Sequence, residues 1–161
     1  IGYDQVTVDS GATLTIEGPA DIVMEDFFLG GGGSTIAFDT TNGPVRVFSA
    51  GDWEMLSNSN FTSTSDSAVD VQIFIAGDTT PGPDRATVSL ASNGAIVGAI
   101  YAPNASLSLP SNFEIYGSVM AGELALASNS IIHFDEALLY DGDNGEREFV
   151  TLLWHPLGLE D

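Results

Sequence analysis

The sequence contains no cysteine and no lysine. Without cysteine there is no disulfide framework, no thiolate zinc site and no cysteine nucleophile. Without lysine there is no cation for a phosphate-binding loop and no amine for a Lys-to-Asn isopeptide crosslink. Three arginines, Arg46, Arg85 and Arg147, face 23 acidic residues, for a net charge of −20. That charge repels phosphate backbones and anionic lipid, so nucleic acid and acidic membrane surfaces are disfavoured partners. No apolar run reaches the roughly 18 residues that a membrane helix needs, so no membrane segment is expected in this chain. A secretory-signal pattern is also missing, and the first residue is Ile1; a processed or truncated chain that lacks its targeting segment is the expectation. The 161 residues suit one domain able to bury a core without staples.

Acidity of this size has two readings. One is a solvated surface. The other is adaptation to a salty or calcium-containing exterior, where ions screen the self-repulsion. The absence of lysine points to the second.

What the sequence does have is an internal repeat. Val88-Ser-Leu90-Ala-Ser-Asn93 precedes Ile96-Val-Gly98-Ala-Ile100-Tyr-Ala102. Leu107-Ser-Leu109-Pro-Ser-Asn112 precedes Ile115-Tyr-Gly117-Ser-Val119-Met-Ala121. Leu124-Ala-Leu126-Ala-Ser-Asn129 precedes Ile132-His-Phe134. The Ser-Asn pairs recur 19 residues apart (112 − 93) and then 17 apart (129 − 112). A short fixed period marks a stacked architecture, and period-two alternation marks strands. The expected fold is all-β: a single-domain parallel β-solenoid, right-handed like other parallel crossovers, with coils of about 17–19 residues. It should occupy residues 1–138, with 139–161 as a tail packing on it as a lid or cap.

Alternation directs Val88, Leu90, Ile96, Ile100, Leu107, Leu109, Ile115, Val119, Leu124, Leu126, Ile132 and Phe134 inward. Gly98 over Gly117 predicts a crowded point where only hydrogen fits. Asn93, Asn112 and Asn129 should form a turn ladder, because Asn tolerates left-handed backbone and its amide can bridge to the next coil. The first half repeats the theme less regularly, in short strands such as Val6-Thr-Val8, Leu14-Thr-Ile16, Val45-Arg-Val47-Phe48 and Val71-Gln-Ile73-Phe74. Turn signals separate them, including Gly30 to Gly33, which read as a wide turn.

Candidate chemistry is sparse. His133, Asp135 and Glu136 cluster in sequence; closure of the last coil is their expected role, with a catalytic dyad or a metal site as the alternatives. Asp141, Asp143 and Glu146 partly resemble a calcium loop, which makes calcium the one candidate cofactor, though the twelve-residue spacing is missing. Asn60-Phe-Thr62 and Asn104-Ala-Ser106 are glycan acceptor sequons. Val97, Tyr101, Tyr116 and Met120 should form an outward contact face too apolar to stay bare. Its cover would be the tail run Phe149 to Trp154, a neighbouring subunit, or a pilin-like segment outside this chain.

Several of these segments carry a resemblance. Gly98-Ala-Ile-Tyr-Ala-Pro-Asn104, Ile115-Tyr-Gly-Ser-Val-Met-Ala121, His133-Phe-Asp-Glu-Ala-Leu138, Trp154, and the earlier Gly43-Pro-Val-Arg-Val-Phe48 resemble a C-terminal domain of unknown function. That domain is found in PilX-like pilus-assembly proteins and related bacterial and archaeal surface proteins. The resemblance spans nearly the whole chain and implies a β-solenoid outside the cell. It implies no activity for the His-Phe-Asp-Glu motif.

The expected role is a non-enzymatic structural or display module of an extracellular or cell-surface appendage, partnered by itself or by other appendage subunits. The alternative is an adhesin or carbohydrate-binding module using Trp53, Tyr101, Tyr116 or Trp154 to stack on surface glycans. A polysaccharide-active enzyme ranks third, because uronate sites call for lysine or clustered arginine.

Overall fold

The computed structural model describes residues 2–77 and 85–139. Within them the chain winds as a parallel β-solenoid of about five turns. The first coil holds β1 (Gly2–Val8) and β2 (Thr13–Glu17). The second holds β3 (Ala20–Leu29) and β4 (Thr35–Asp39). The third holds β5 (Val45–Ser49), β6 (Trp53–Met55) and β7 (Asn60–Ser63), then a single 3-10 turn, Ala68–Asp70. β8 (Val71–Ile75), β9 (Ala86–Ser89), β10 (Ala95–Leu109), β11 (Glu114–Leu126) and β12 (Ile131–Phe134) complete it. Every strand pairing is parallel.

Stacking brings inward residues into axial columns. On one face Ile22, Val47, Ile73, Ile100 and Val119 are in register. On the next, Val6, Phe27, Trp53, Val88, Leu107 and Leu124 are in register. On the third, Leu14, Ile36 and Phe61 align, and further along Ile96, Ile115 and Ile132 align. Each column removes apolar side chains from water, at roughly 25 cal/mol per Å².

Coil length changes along the chain. The steps are 25 residues from Ile22 to Val47, 26 to Ile73 and 27 to Ile100, then 19 to Val119. Leu107 to Leu124 takes 17. The 17–19-residue coil thus belongs to the C-terminal half. The 27-residue step takes its extra residues between β8 and β9, and the rest of the difference lies at one corner. Thr40–Pro44 turns it in the second coil, and Thr64–Asp70 in the third. In β10 and β11 only Gly98 and Gly117 stand there, and the strand bends without breaking. Gly117 has φ +152°, and a Cβ on it would overlap the Gly98 carbonyl oxygen. The expected crowding is present, for a backbone reason.

The last coil departs from expectation. Alternation directs Leu124, Leu126 and Phe134 inward, yet they are 42, 56 and 56 % exposed. Alternation sets the direction of a side chain, whereas burial needs a further coil above it. No strand among the described residues stacks on β12. The tail at 140–161, with its expected lid, lies outside the described residues.

Candidate contact surface

The turn between the second and third faces is left-handed in successive coils. Asn58, Asn93, Asn112 and Asn129 have φ of 62, 62, 57 and 59°. A short polar side chain meets this conformation at little steric cost. Asn112 Nδ2 donates to Asn93 Oδ1 at 3.0 Å, and Asn129 Nδ2 donates to Asn112 Oδ1 at 3.1 Å. The ladder ties successive coils together. Asn112→Ala is expected to destabilise the chain by about 2 kcal/mol, through left-handed strain and two lost hydrogen bonds. Asn112→Gly should cost less than about half of that, since glycine keeps the backbone. Urea unfolding of both variants checks the order.

The outward surface carries a second axial column. Val23, Phe48, Phe74, Tyr101 and Met120 are mutually in register across five strands. Val23, Tyr101 and Met120 are about half exposed. Between the strands lies a shallow groove of about 440 Å³ lined by Val23, Phe48, Phe74, Tyr101, Pro103 and Asn104. Phe48 and Phe74 stack on each other, with centroids 5.0 Å apart and planes 10° from parallel. Tyr101 follows at 6.2 Å from Phe74, tilted by 57°. The two phenylalanine faces are therefore turned toward one another, and their edges line the groove.

The sequence signal for this stripe was available. In Val45-Arg-Val-Phe48 and Val71-Gln-Ile-Phe74, alternation puts each Phe on the same side as Arg46 or Gln72, away from the core. Arg46 beside the stripe is held by Asp21 through Nε at 2.7 Å and a second guanidinium nitrogen at 2.9 Å.

The expected contact face is split in two. Tyr101 and Met120 belong to this stripe. Val97 and Tyr116 lie beyond the Gly98–Gly117 corner, where β10 runs beside β7. Tyr116 stacks on His133 at 4.5 Å and 7°, and its hydroxyl donates to Glu114. That bond holds the Glu114 carboxyl below, and the Tyr116 phenol above, their ordinary pKa ranges. His133 Nε2 lies 3.3 Å from the same carboxylate.

A family model described as a domain of unknown function, DUF7305, matches residues 3–140. The chain belongs to this family. No curated protein and no solved structure matches it.

The remaining candidates are distributed over the DUF7305 domain. Trp53, weighed as a sugar-stacking surface, is 1 % exposed in the core beside Phe27; its three-residue strand points it inward. Asp135 accepts a hydrogen bond from the Ala68 amide at 2.8 Å, which ties the last coil to the 3-10 turn. Glu136 is exposed at the start of a second 3-10 turn, Glu136–Leu139. Asn104 donates its amide to the Ala76 carbonyl at 3.0 Å, and Asn60 is exposed on β7. Asp141, Asp143, Glu146 and Trp154 lie outside the described residues. Among the described residues no cluster of three or more His, Asp or Glu side chains could hold a metal.

Proposed function

We propose that this domain is a non-enzymatic structural or display module of an extracellular, pilus-associated appendage. The observation that carries the reading is the apolar stripe along the side of a stiff, strongly anionic rod. Contiguous apolar surface of this kind marks a contact with another protein. The resemblance to the solenoid domain of PilX-like surface proteins supplies the setting, and the lysine-free acidic composition suits a saline exterior. The site chemistry also favours a scaffold. Asp39, Glu114 and Tyr116 have displaced pKa values, and side-chain hydrogen bonds at the open surface displace all three. A catalytic pair would share a desolvated cleft.

The adhesin reading loses support from the ring geometry. Sugars stack on aromatic faces, and the faces of Phe48 and Phe74 cover each other, while His133 covers one face of Tyr116. Immunogold labelling of cells that produce this chain tests the proposal. Gold along surface appendages is expected; gold confined to the cell interior would overturn it.

A further inference from the structure

We propose that the Val23–Phe48–Phe74–Tyr101–Met120 stripe is a docking groove for a cationic amphipathic helix of a partner protein. The inference goes beyond an appendage role and does not depend on it. Three observations select the occupant.

The first is length. Four inter-strand steps separate Val23 from Met120, and at about 4.8 Å each they span roughly 19 Å. A helix covers that distance in about 13 residues. One anchor per turn, at i, then i+3 or i+4, then i+7, advances about 5 Å each time, close to the rise from one coil to the next.

The second is the floor. Stacked edges of Phe48 and Phe74, flanked by Val23 and the Tyr101 ring, offer apolar packing and few hydrogen-bonding groups. A polysaccharide needs ring faces and polar partners; an apolar helix face needs neither.

The third is the rim. Asp21 and Glu25 stand two residues either side of Val23, on the same side of the strand. Asp26 and Asp52 occupy the adjoining corner, where Asp26 Oδ1 accepts the Asp52 amide at 2.9 Å and Asp52 Oδ1 accepts the Thr87 amide at 2.7 Å. Glu123 follows Met120 three residues on. Arg46, neutralised by Asp21, and Arg85, whose guanidinium lies against Gly122 beside Glu123, are outnumbered by these carboxylates. A second copy of this chain, at −20, would meet the rim with like charge. So would residues 140–161, which hold six acids and Arg147. Lysine or arginine flanking an apolar helix face reverses the sign of that interaction.

The test uses the full chain and dye-labelled 14-residue model helices, read by fluorescence anisotropy. One helix has a leucine face and a lysine face. A second replaces lysine with glutamate, and a third replaces leucine with serine. The leucine–lysine helix should bind, and the other two should bind at least about tenfold more weakly. Tyr101→Ser and Glu25→Lys, both at exposed positions, should each weaken binding by about tenfold, while Tyr116→Ser on the other face should not. Equal binding of the serine–lysine helix, or parental affinity in Tyr101→Ser, would overturn the proposal. So would a dimer in sedimentation that Phe48→Ser dissolves, because the groove would then be filled by a second copy. A gain of about tenfold on truncation after Leu139 would assign it to the chain's own tail, with the same consequence.

Discussion

Leu109→Asp should yield a chain with no cooperative thermal transition, whereas Leu126→Asp should fold and melt close to the parent. The two positions are neighbours in one column, paired across β10 and β11. Leu109 is 0 % exposed and Leu126 is 56 % exposed. A carboxylate at 109 would be enclosed by apolar side chains with no partner, at a cost of several kcal/mol, either as buried charge or as forced protonation. The total stability of a domain this size is about 5–15 kcal/mol, so a solenoid that must stack every coil has little margin. At 126 the same carboxylate reaches water at the coil end. Circular dichroism melts decide the point. A Leu109→Asp chain that melts like the parent would remove the column from the core. Loss of folding in Leu126→Asp would show that the coil end is covered after all.

That pair of substitutions also shows where sequence reading stops. Period-two alternation gave the same inward direction to Leu109 and Leu126, and direction is all that alternation encodes. Whether another layer follows is a property of the stack. The repeat was legible between Asn93 and Asn129 because one turn chemistry, Ser-Asn in a left-handed corner, recurs with near-constant spacing. In the first half the same corner contains Gly32 and Gly33 in one coil and Ser57-Asn58 in the next; the 35 residues from Asn58 to Asn93 read as two coils in the sequence but form a single step, so the spacing is uneven and the 25–27-residue steps stayed hidden. Trp53 was misplaced for a related reason. β6 is only three residues long, too short for alternation to outweigh the expectation that an aromatic beside turn residues is exposed. The lateral stripe could have been found one strand at a time from Phe48 and Phe74. Its continuity depends on register between coils of different length, which local pattern does not carry.

Gly117→Ala should be the most damaging methyl that can be added to this backbone corner, costing about 3–5 kcal/mol. Two penalties combine. Left-handed φ disfavours a Cβ by about 1–2 kcal/mol. The new carbon would also overlap the Gly98 carbonyl oxygen, and come within 2.8 Å of its carbon and 2.9 Å of the Ala68 Cβ. These are backbone atoms and a short side chain, so no flexible group can swing away. Gly33→Ala isolates the first penalty: its φ is +90°, and nothing lies within 4 Å of the added carbon. Gly98→Ala isolates a milder form of the second, with the Val71 carbonyl oxygen at 2.9 Å. Denaturant midpoints should therefore fall in the order Gly117→Ala, with the largest loss, then Gly98→Ala and Gly33→Ala, each smaller. Equal losses at 33 and 117 would mean that the corner relaxes freely and that contact between the coils does not hold it. The consequence reaches the surface. Gly98 and Gly117 let one continuous strand serve two faces of the solenoid, and Tyr101 and Met120 each follow three residues later in paired register. A corner forced open by a methyl group would shift the C-terminal end of the stripe relative to Phe48 and Phe74. Gly117→Ala should then weaken any partner bound along the groove even under conditions where the chain remains folded.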